Sequence, residues 1–442
     1  MSINASEVEL KSFSESQKDI NVRSDNDVTL GEEVMSDFYQ DFHRTLWSSS
    51  MKVKIESSSN SNTITYTIPD RWHLILYSYR TCVTPLVKIK PEYIGKVRIA
   101  WTHNLADNHV ESASFFIDSI SYHNLDSVSL DIDRGFYGSK NYNKNKMAAI
   151  HRGNNAICEK WSESFIPPFE LMVEDNWFYS QSGCGLPIMY NNGGKFCHKY
   201  TFVPPEKLLR VQFKDEDRWI NVTNTQDYVT FEYTDSFSVP EFYARLVRFP
   251  NENLDWWYEC LSEYKVYIRN YINYDTTKIY KYGDTEIIDI DSDKPCIAVF
   301  WLAQNHTAAT YHLYSNYTTD SQNVSSGWDP ILHSSLKYKK ENDHRFKELP
   351  SKHSSFMEAF KHFPTIPEDF GYHAESIAYN SVNYNGDINL IMKNLGAQLI
   401  CTFNTPNSDE ESPLFKLKVR GLALRKLTIT QDDKGNFKYN LD

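Results

Sequence analysis

The chain offers few residues arranged for chemistry, and each candidate lacks a part. Its seven cysteines stand at 82, 158, 184, 197, 260, 296 and 401, never as Cys-x-x-Cys. Cys184 lies in Gly-Cys-Gly, a turn able to expose a thiol nucleophile, and Cys197-His198 could begin a metal site. The plainer reading is a small residue in a glycine turn and a site short of its remaining ligands. Dispersed, odd-numbered cysteines point to buried reduced thiols. Asp289-Ile-Asp-Ser-Asp293 starts like a calcium loop, but Lys294 stands where that loop needs Gly and Phe300 where it needs Glu. Gly135-Phe-Tyr-Gly-Ser-Lys140 has neither the spacer nor the Gly-Lys pair of a phosphate loop. No His-x-His occurs. Paired carboxylates for glycoside hydrolysis need no local motif and stay open. Asn4, Asn221, Asn305, Asn316 and Asn323 head Asn-x-Ser/Thr sequons. Asn305, Asn316 and Asn323 cluster, so they are the candidate glycosylation sites, on a segment expected to face outward. No catalytic, cofactor or metal residue is assigned.

The elements that must carry these residues are mostly short strands. Tyr and Phe, 29 and 25 of 442 residues, favour pleated, half-buried surfaces. Alternation marks strands at 51–56, 63–68, 73–79, 96–102, 113–117, 127–133, 165–173, 208–213 and 228–233. A second set falls at 264–268, 286–289, 296–303, 388–392, 397–402 and 415–429. In the last, the apolar phase of Phe415, Leu417 and Val419 slips at Gly421, which predicts a bulge. Helical spacing occurs at 34–47, 254–261 and 354–363. Residues 138–160 and 304–350 read as long polar surface loops.

This pattern predicts an all-β sandwich class. Length suits two domains. We expect an N-terminal arm at 1–48, a first sandwich at 49–238, a linker with a short helix at 239–263, and a second sandwich at 264–442. Trp256, Trp257 and Tyr258 in the linker are a candidate interface. A net charge of −12 argues against direct nucleic-acid binding. No apolar leader opens the chain, and no run is long enough to span a membrane.

One passage narrows the class. Trp101-Thr-His-Asn-Leu-Ala-Asp-Asn-His-Val-Glu-Ser, closing on the apolar strand at 113–117 and Asp118, resembles the first barrel of the major capsid proteins of nucleocytoplasmic large DNA viruses. Phe165-Ile-Pro-Pro-Phe169 with Trp177–Pro187 is similar to a second passage of that family, and 375–379, 386–390 and 415–423 to later ones. The resemblance implies two consecutive eight-stranded antiparallel jelly rolls, a double jelly roll with long loop insertions and a few short helices. It implies a structural, non-enzymatic protein whose homotrimers form pseudo-hexagonal capsomers of an icosahedral virion capsid, assembled in the host cytoplasm. The implied partners are neighbouring capsomers, minor capsid proteins and, through the N-terminal arm, an inner membrane. Asp118-Ser119 replaces the family's Gly-Gly, which keeps a minor capsid or scaffold paralogue open. The alternative from another class is a β-sandwich carbohydrate-binding protein or glycosidase.

Overall fold

The computed structural model describes residues 50–60, 63–69, 72–117, 120–137, 160–174, 186–187, 196–233, 235–248, 265–324, 326–339, 343–367, 369–378, 392–404, 413–431 and 437–441. The arm, most of the 138–160 loop, Cys184 and Trp256-Trp257-Tyr258 lie outside these residues.

Every pairing between the described strands is antiparallel, and each joins strands within 50–247 or within 265–441. In the first half, Ser50–Ile55, Glu241–Val247, Leu74–Val83 and Glu170–Glu174 form one sheet, with Leu186–Pro187 on the third strand. Ser57–Asn60, Thr63–Thr67, Phe196–Phe202, Val110–Ile117 and Ile120–Leu125 form another. Glu241–Val247, expected in the linker, is thus a strand of the first half, zipped to Ser50–Ile55 over six residue pairs.

The strand expected at 165–173 is two, Phe165–Ile166 and Glu170–Glu174. Pro167 and Pro168 have no N–H for a ladder, and opposite them Pro85 interrupts the partner between Leu74–Val83 and Leu86–Ile89. The breaks are matched, so two small sheets fan out from one sandwich. Leu86–Ile89 pairs with Val229–Glu232 in one, while Leu209–Asp215 bridges Val97–Trp101 and Arg218–Val222 in the other.

In the second half, Lys265–Asn273, Phe415–Gln431, Cys296–Asn305 and Tyr372–Ser376 make one sheet, with Phe437–Leu441 on the second strand. Thr285–Ile290, Ala397–Phe403, Ile331–Tyr338 and Asp343–Pro350 make the other. The last two strands correct the loop expected at 304–350. Met392 opens a helical turn, Met392–Leu395, rather than closing a strand, and 388–391 lie outside the described residues.

All ten residues of Cys296–Asn305 are buried. Val299, Trp301 and Ala303 join the core of the second sandwich, whereas Ala298, Phe300 and Leu302 join a core shared with the first half. The neighbouring Phe415–Gln431 strand does the same, with Leu417 and Val419 on one side and Leu422 on the other. The expected bulge at Gly421 is therefore corrected. The strand keeps its phase and is buried on both faces over 419–423, and the register shift falls on its partner between Cys296 and Ala298.

What fills the shared core is the second correction. Ser127–Tyr137, expected as a strand over 127–133, is a helix. Asp126 caps it, its Oδ1 accepting from the Ser129 backbone N–H at 2.8 Å and from Ser129 Oγ at 2.6 Å. Val128, Leu130, Ile132 and Phe136 are all buried, because this seam helix has neighbours on nearly every side. Phe136 packs on Phe300 at 5.0 Å and Phe363 at 5.1 Å, both from the second half. Phe363 ends the expected 354–363 helix, seen over 351–362 with a π-wound turn at His353–Met357. This edge helix lies against Tyr372–Ser376, the edge strand of its sheet.

Candidate functional site

The residues with the densest polar connections lie where the halves meet. The polar Asn104–Asn108 stretch is a buried helical turn, Leu105–Asn108, and Asn104 takes the left-handed conformation that Asn tolerates. Asn104 Nδ2 donates to Asp131 Oδ1 of the seam helix at 2.7 Å. Two tyrosines of the second half donate to the same carboxylate, Tyr317 at 2.9 Å and Tyr372 at 3.0 Å. Arg134 Nε donates to Asp107 at 2.6 Å. Asn108 Nδ2 reaches Ser315 Oγ at 2.9 Å, and Thr102 Oγ1 the His312 carbonyl at 2.6 Å. Gly371, at φ +84°, lets the chain pass so close that a Cβ would lie 2.0 Å from the Tyr317 carbonyl oxygen.

A second tie is ionic. Arg420, 1% exposed on the Phe415–Gln431 strand, donates from Nη2 to Asp126 at 2.5 Å and from Nε to Ser129 Oγ at 3.1 Å. Its Nη1 also meets Asn273 and Asp275. Burial alone would raise the Asp126 pKa, but Arg420 and the Ser129 bonds outweigh it and hold the carboxyl below its ordinary value. Buried polar groups so completely engaged fix one arrangement of the halves.

The residues singled out in the sequence do not converge. Cys197 and His198 are both buried and alternate on one strand. Cys197 Sγ lies 3.5 Å from Thr67 Oγ1, while the His198 ring packs against Phe115 and Phe242. Among the described residues no group of three or more His, Cys, Asp or Glu is placed to hold a metal. Asp289 bonds Lys339 and Gln398, and Ser292 Oγ bonds the Lys294 carbonyl, so the calcium-like loop is engaged with its own surroundings. Cys82, Cys296 and Cys401 are buried thiols, and burial pushes Cys296 up to about 12.

Glycosylation is corrected at two of its three candidates. Asn305 and Asn316 are fully buried. Asn305 caps the helical turn His306–Ala309 and donates to the Thr318 carbonyl, while Asn316 donates to the Asp320 carbonyl. The segment expected to face outward instead folds against the first half. Asn323 alone of the three is exposed.

Two buried clusters at the edge helix carry no local sequence signal. Ser354 Oγ lies 3.0 Å from His373 Nδ1, and His373 Nε2 lies 3.2 Å from Asp329 Oδ1. The order is that of a hydrolytic relay, but Ser354 is 2% exposed, donates to the Ser351 carbonyl, and the imidazole stacks on Trp301 at 5.7 Å. The relay ties three segments together and presents no nucleophile to solvent. Beside it Glu375 and Glu358, both buried, hydrogen-bond each other, and Arg345 donates to Glu375 at 3.0 Å. A glycosidase needs its two carboxyls about 5 Å or more apart across an open site, which this touching pair does not provide.

Burial first, and Glu358 second, raise the Glu375 pKa from 4.5 to about 7. The folded state therefore holds this proton more tightly than the unfolded state. The stabilisation is complete below about pH 4.5 and is lost as pH rises through 7. Glu375→Gln is expected to raise the melting temperature at pH 8 and leave it nearly unchanged at pH 5. Equal shifts at both pH values would refute the shared-proton account.

No protein-family profile matches the chain. Among curated proteins it is similar to the major capsid protein of Invertebrate iridescent virus 6, 31% identical over 119 residues, which is 24% of this chain and 25% of that protein. The match thus spans about a quarter of that relative's length. Solved structures match far more of the chain. The capsid of PBCV-1 gives a TM-score of 0.63 at 11% identity, covering 88% of this chain and 96% of that one. The Faustovirus major capsid protein gives 0.62 at 8% identity, covering 86% and 90%. The fold is that of the double jelly-roll capsid proteins.

Proposed function

We propose that this chain is a structural capsid protein of a large DNA virus, forming trimeric pseudo-hexagonal capsomers of an icosahedral shell. The observation that carries this reading is the likeness to capsid folds over nearly the whole chain, with a TM-score of 0.63. The seam supports it. A tile in a shell must transmit load without its two lobes shifting, and here the lobes share one apolar core and two buried polar ties. The lobes are 50–247 and 265–441, joined through 248–264, with residues 1–48 as an arm toward minor capsid proteins or an inner membrane. No described helix is long and apolar enough to cross a membrane. Two similar lobes on each of three chains give six, which tile a hexagonal lattice; the contacts are heterologous and close by rotation. The protein acts in the virion, after assembly in the host cytoplasm, and its function needs no cofactor or catalysis.

Light scattering on the purified chain tests the reading. The expected species has three times the chain mass of 51.6 kDa and a hexagonal outline by electron microscopy. A strict monomer at every concentration would overturn it.

A further inference from the structure

We infer that the outward face of the edge helix is the surface by which one copy of this chain seats, head to tail, on the next; this rests on the capsomer reading above. The inner side of the helix is filled: Ala359, with Phe363 just past the helix end, sits in the shared core, and Ser354 and Glu358 are buried beside them. Phe356, Met357 and Phe360 face solvent, with Phe360 67% exposed and the two phenyl rings stacked 6.3 Å apart. A helix packed on one side and apolar on the other is covered on both when its assembly is complete.

Two more exposed aromatics come from segments fastened to this helix. Trp328, 79% exposed, adjoins Asp329, and Phe370 stands three residues before His373. The Ser354–His373–Asp329 relay links both segments to the helix. The backbone also joins them, since Gly371 abuts Tyr317 and Thr319 bonds the Trp328 carbonyl. The remaining exposed large apolar side chains of the described residues are spread over separate strands and turns. Covering Phe356, Met357 and Phe360 alone would bury on the order of 300 Å², over a third of the roughly 800 Å² per partner of a standard stable interface.

Charge selects the occupant and its orientation. Lys352 and Lys361 flank the stacked rings, exposed and without an ion pair among the described residues, and the one acid of the helix, Glu358, is buried. Yet the chain as a whole carries −12. Two such faces brought together would set lysine against lysine. The same face against the acidic remainder of a second copy is attractive. The contact is therefore heterologous, and rotation closes it into a ring.

The test compares wild type, the double variant Phe356→Ser/Phe360→Ser and the double variant Lys352→Glu/Lys361→Glu by light scattering across concentration. Melting temperature and near-UV circular dichroism check the fold. The wild type should be trimeric, and each variant should weaken association at least 10-fold while keeping the wild-type fold. If wild type and both folded variants are equally trimeric, this inference fails while the capsomer reading stands. If the wild type is monomeric throughout, the capsomer reading fails and takes this with it. Should a variant misfold, hydrogen exchange on wild type decides. Amides of 351–362 should gain at least 10-fold protection on trimer formation, and no gain overturns the inference.

Discussion

Arg420→Ala is expected to cost about 3 kcal/mol of folding stability, because it removes the fully buried partner of an ion pair whose acids are only partly exposed. The guanidinium is 1% exposed, and its loss leaves Asp126 with only its Ser129 bonds and Asp275 with only Lys418 and the Val419 N–H. The exposed pair Lys54–Glu241 is the control. Its side chains are 57% and 39% exposed, and breaking it should cost under about 1 kcal/mol. Urea unfolding followed by tryptophan fluorescence measures both. Arg420→Met with Asp126→Asn should recover much of the loss, since Asp275 keeps Lys418 as its partner and no charge is left stranded. A cost below about 1 kcal/mol for Arg420→Ala would show that the shared apolar core alone holds the halves, and that the ionic tie is incidental.

That division of labour explains what could be read in the sequence. Wherever one face of a strand is core and the other solvent, alternation announced it, as in Ala397–Phe403 and in Phe415 through Val419. It failed where a second layer covers the other face. Leu422 after Gly421 imitated a phase slip because the second side, charged at Lys416, Lys418 and Arg420, turns apolar where the shared core covers it. Val128, Leu130 and Ile132 imitated a strand because the seam helix is enclosed. The signal passed over was Asp126 three residues before Ser129, a capping pair at the helix start. Residues 305–324 read as solvated loop because Asn305, Asn316 and Thr318 are polar. Their bonds to one another and to nearby backbone let them be buried against the first half, which composition cannot reveal. Of the candidate site, the Trp101 passage stood out in the sequence, but its bonds to the second half did not. Asp329, Ser354 and His373 are far apart in sequence and meet only once the edge helix lies on its strand.

The second large effect is acid lability, led by three fully buried histidines, with His73, which burial lowers to about 4, adding in the same direction. His109, His123 and His198 are fully buried, and burial first of all lowers each from 6.5 to about 3. His109 lies between Phe202 at 4.7 Å and Phe237 at 4.3 Å with Arg80 nearby, so an imidazolium there would face both an apolar wall and a like charge. In the unfolded chain each would take a proton near pH 6.5. The stability from keeping them neutral is present above that value and is lost as pH falls toward 3. From pH 6.5 to 5 the loss is about 2 kcal/mol per histidine, on the order of 6 for these three. Glu375 opposes this, gaining roughly 2 kcal/mol over the same span as it takes up its proton. The net, about 4 kcal/mol, is a large share of the 5–15 typical of a domain. Urea unfolding at pH 7.5, 6.5, 5.5 and 5 should therefore show stability falling steeply below 6.5, with two to three protons taken up on unfolding at pH 5. His198→Phe keeps an aromatic ring among Phe115, Tyr200 and Phe242 and should shrink the net drop by about half. A flat profile from 6.5 to 5 would mean that these rings reach a protonated, solvated state without unfolding, and the closed core around them would have to be reconsidered.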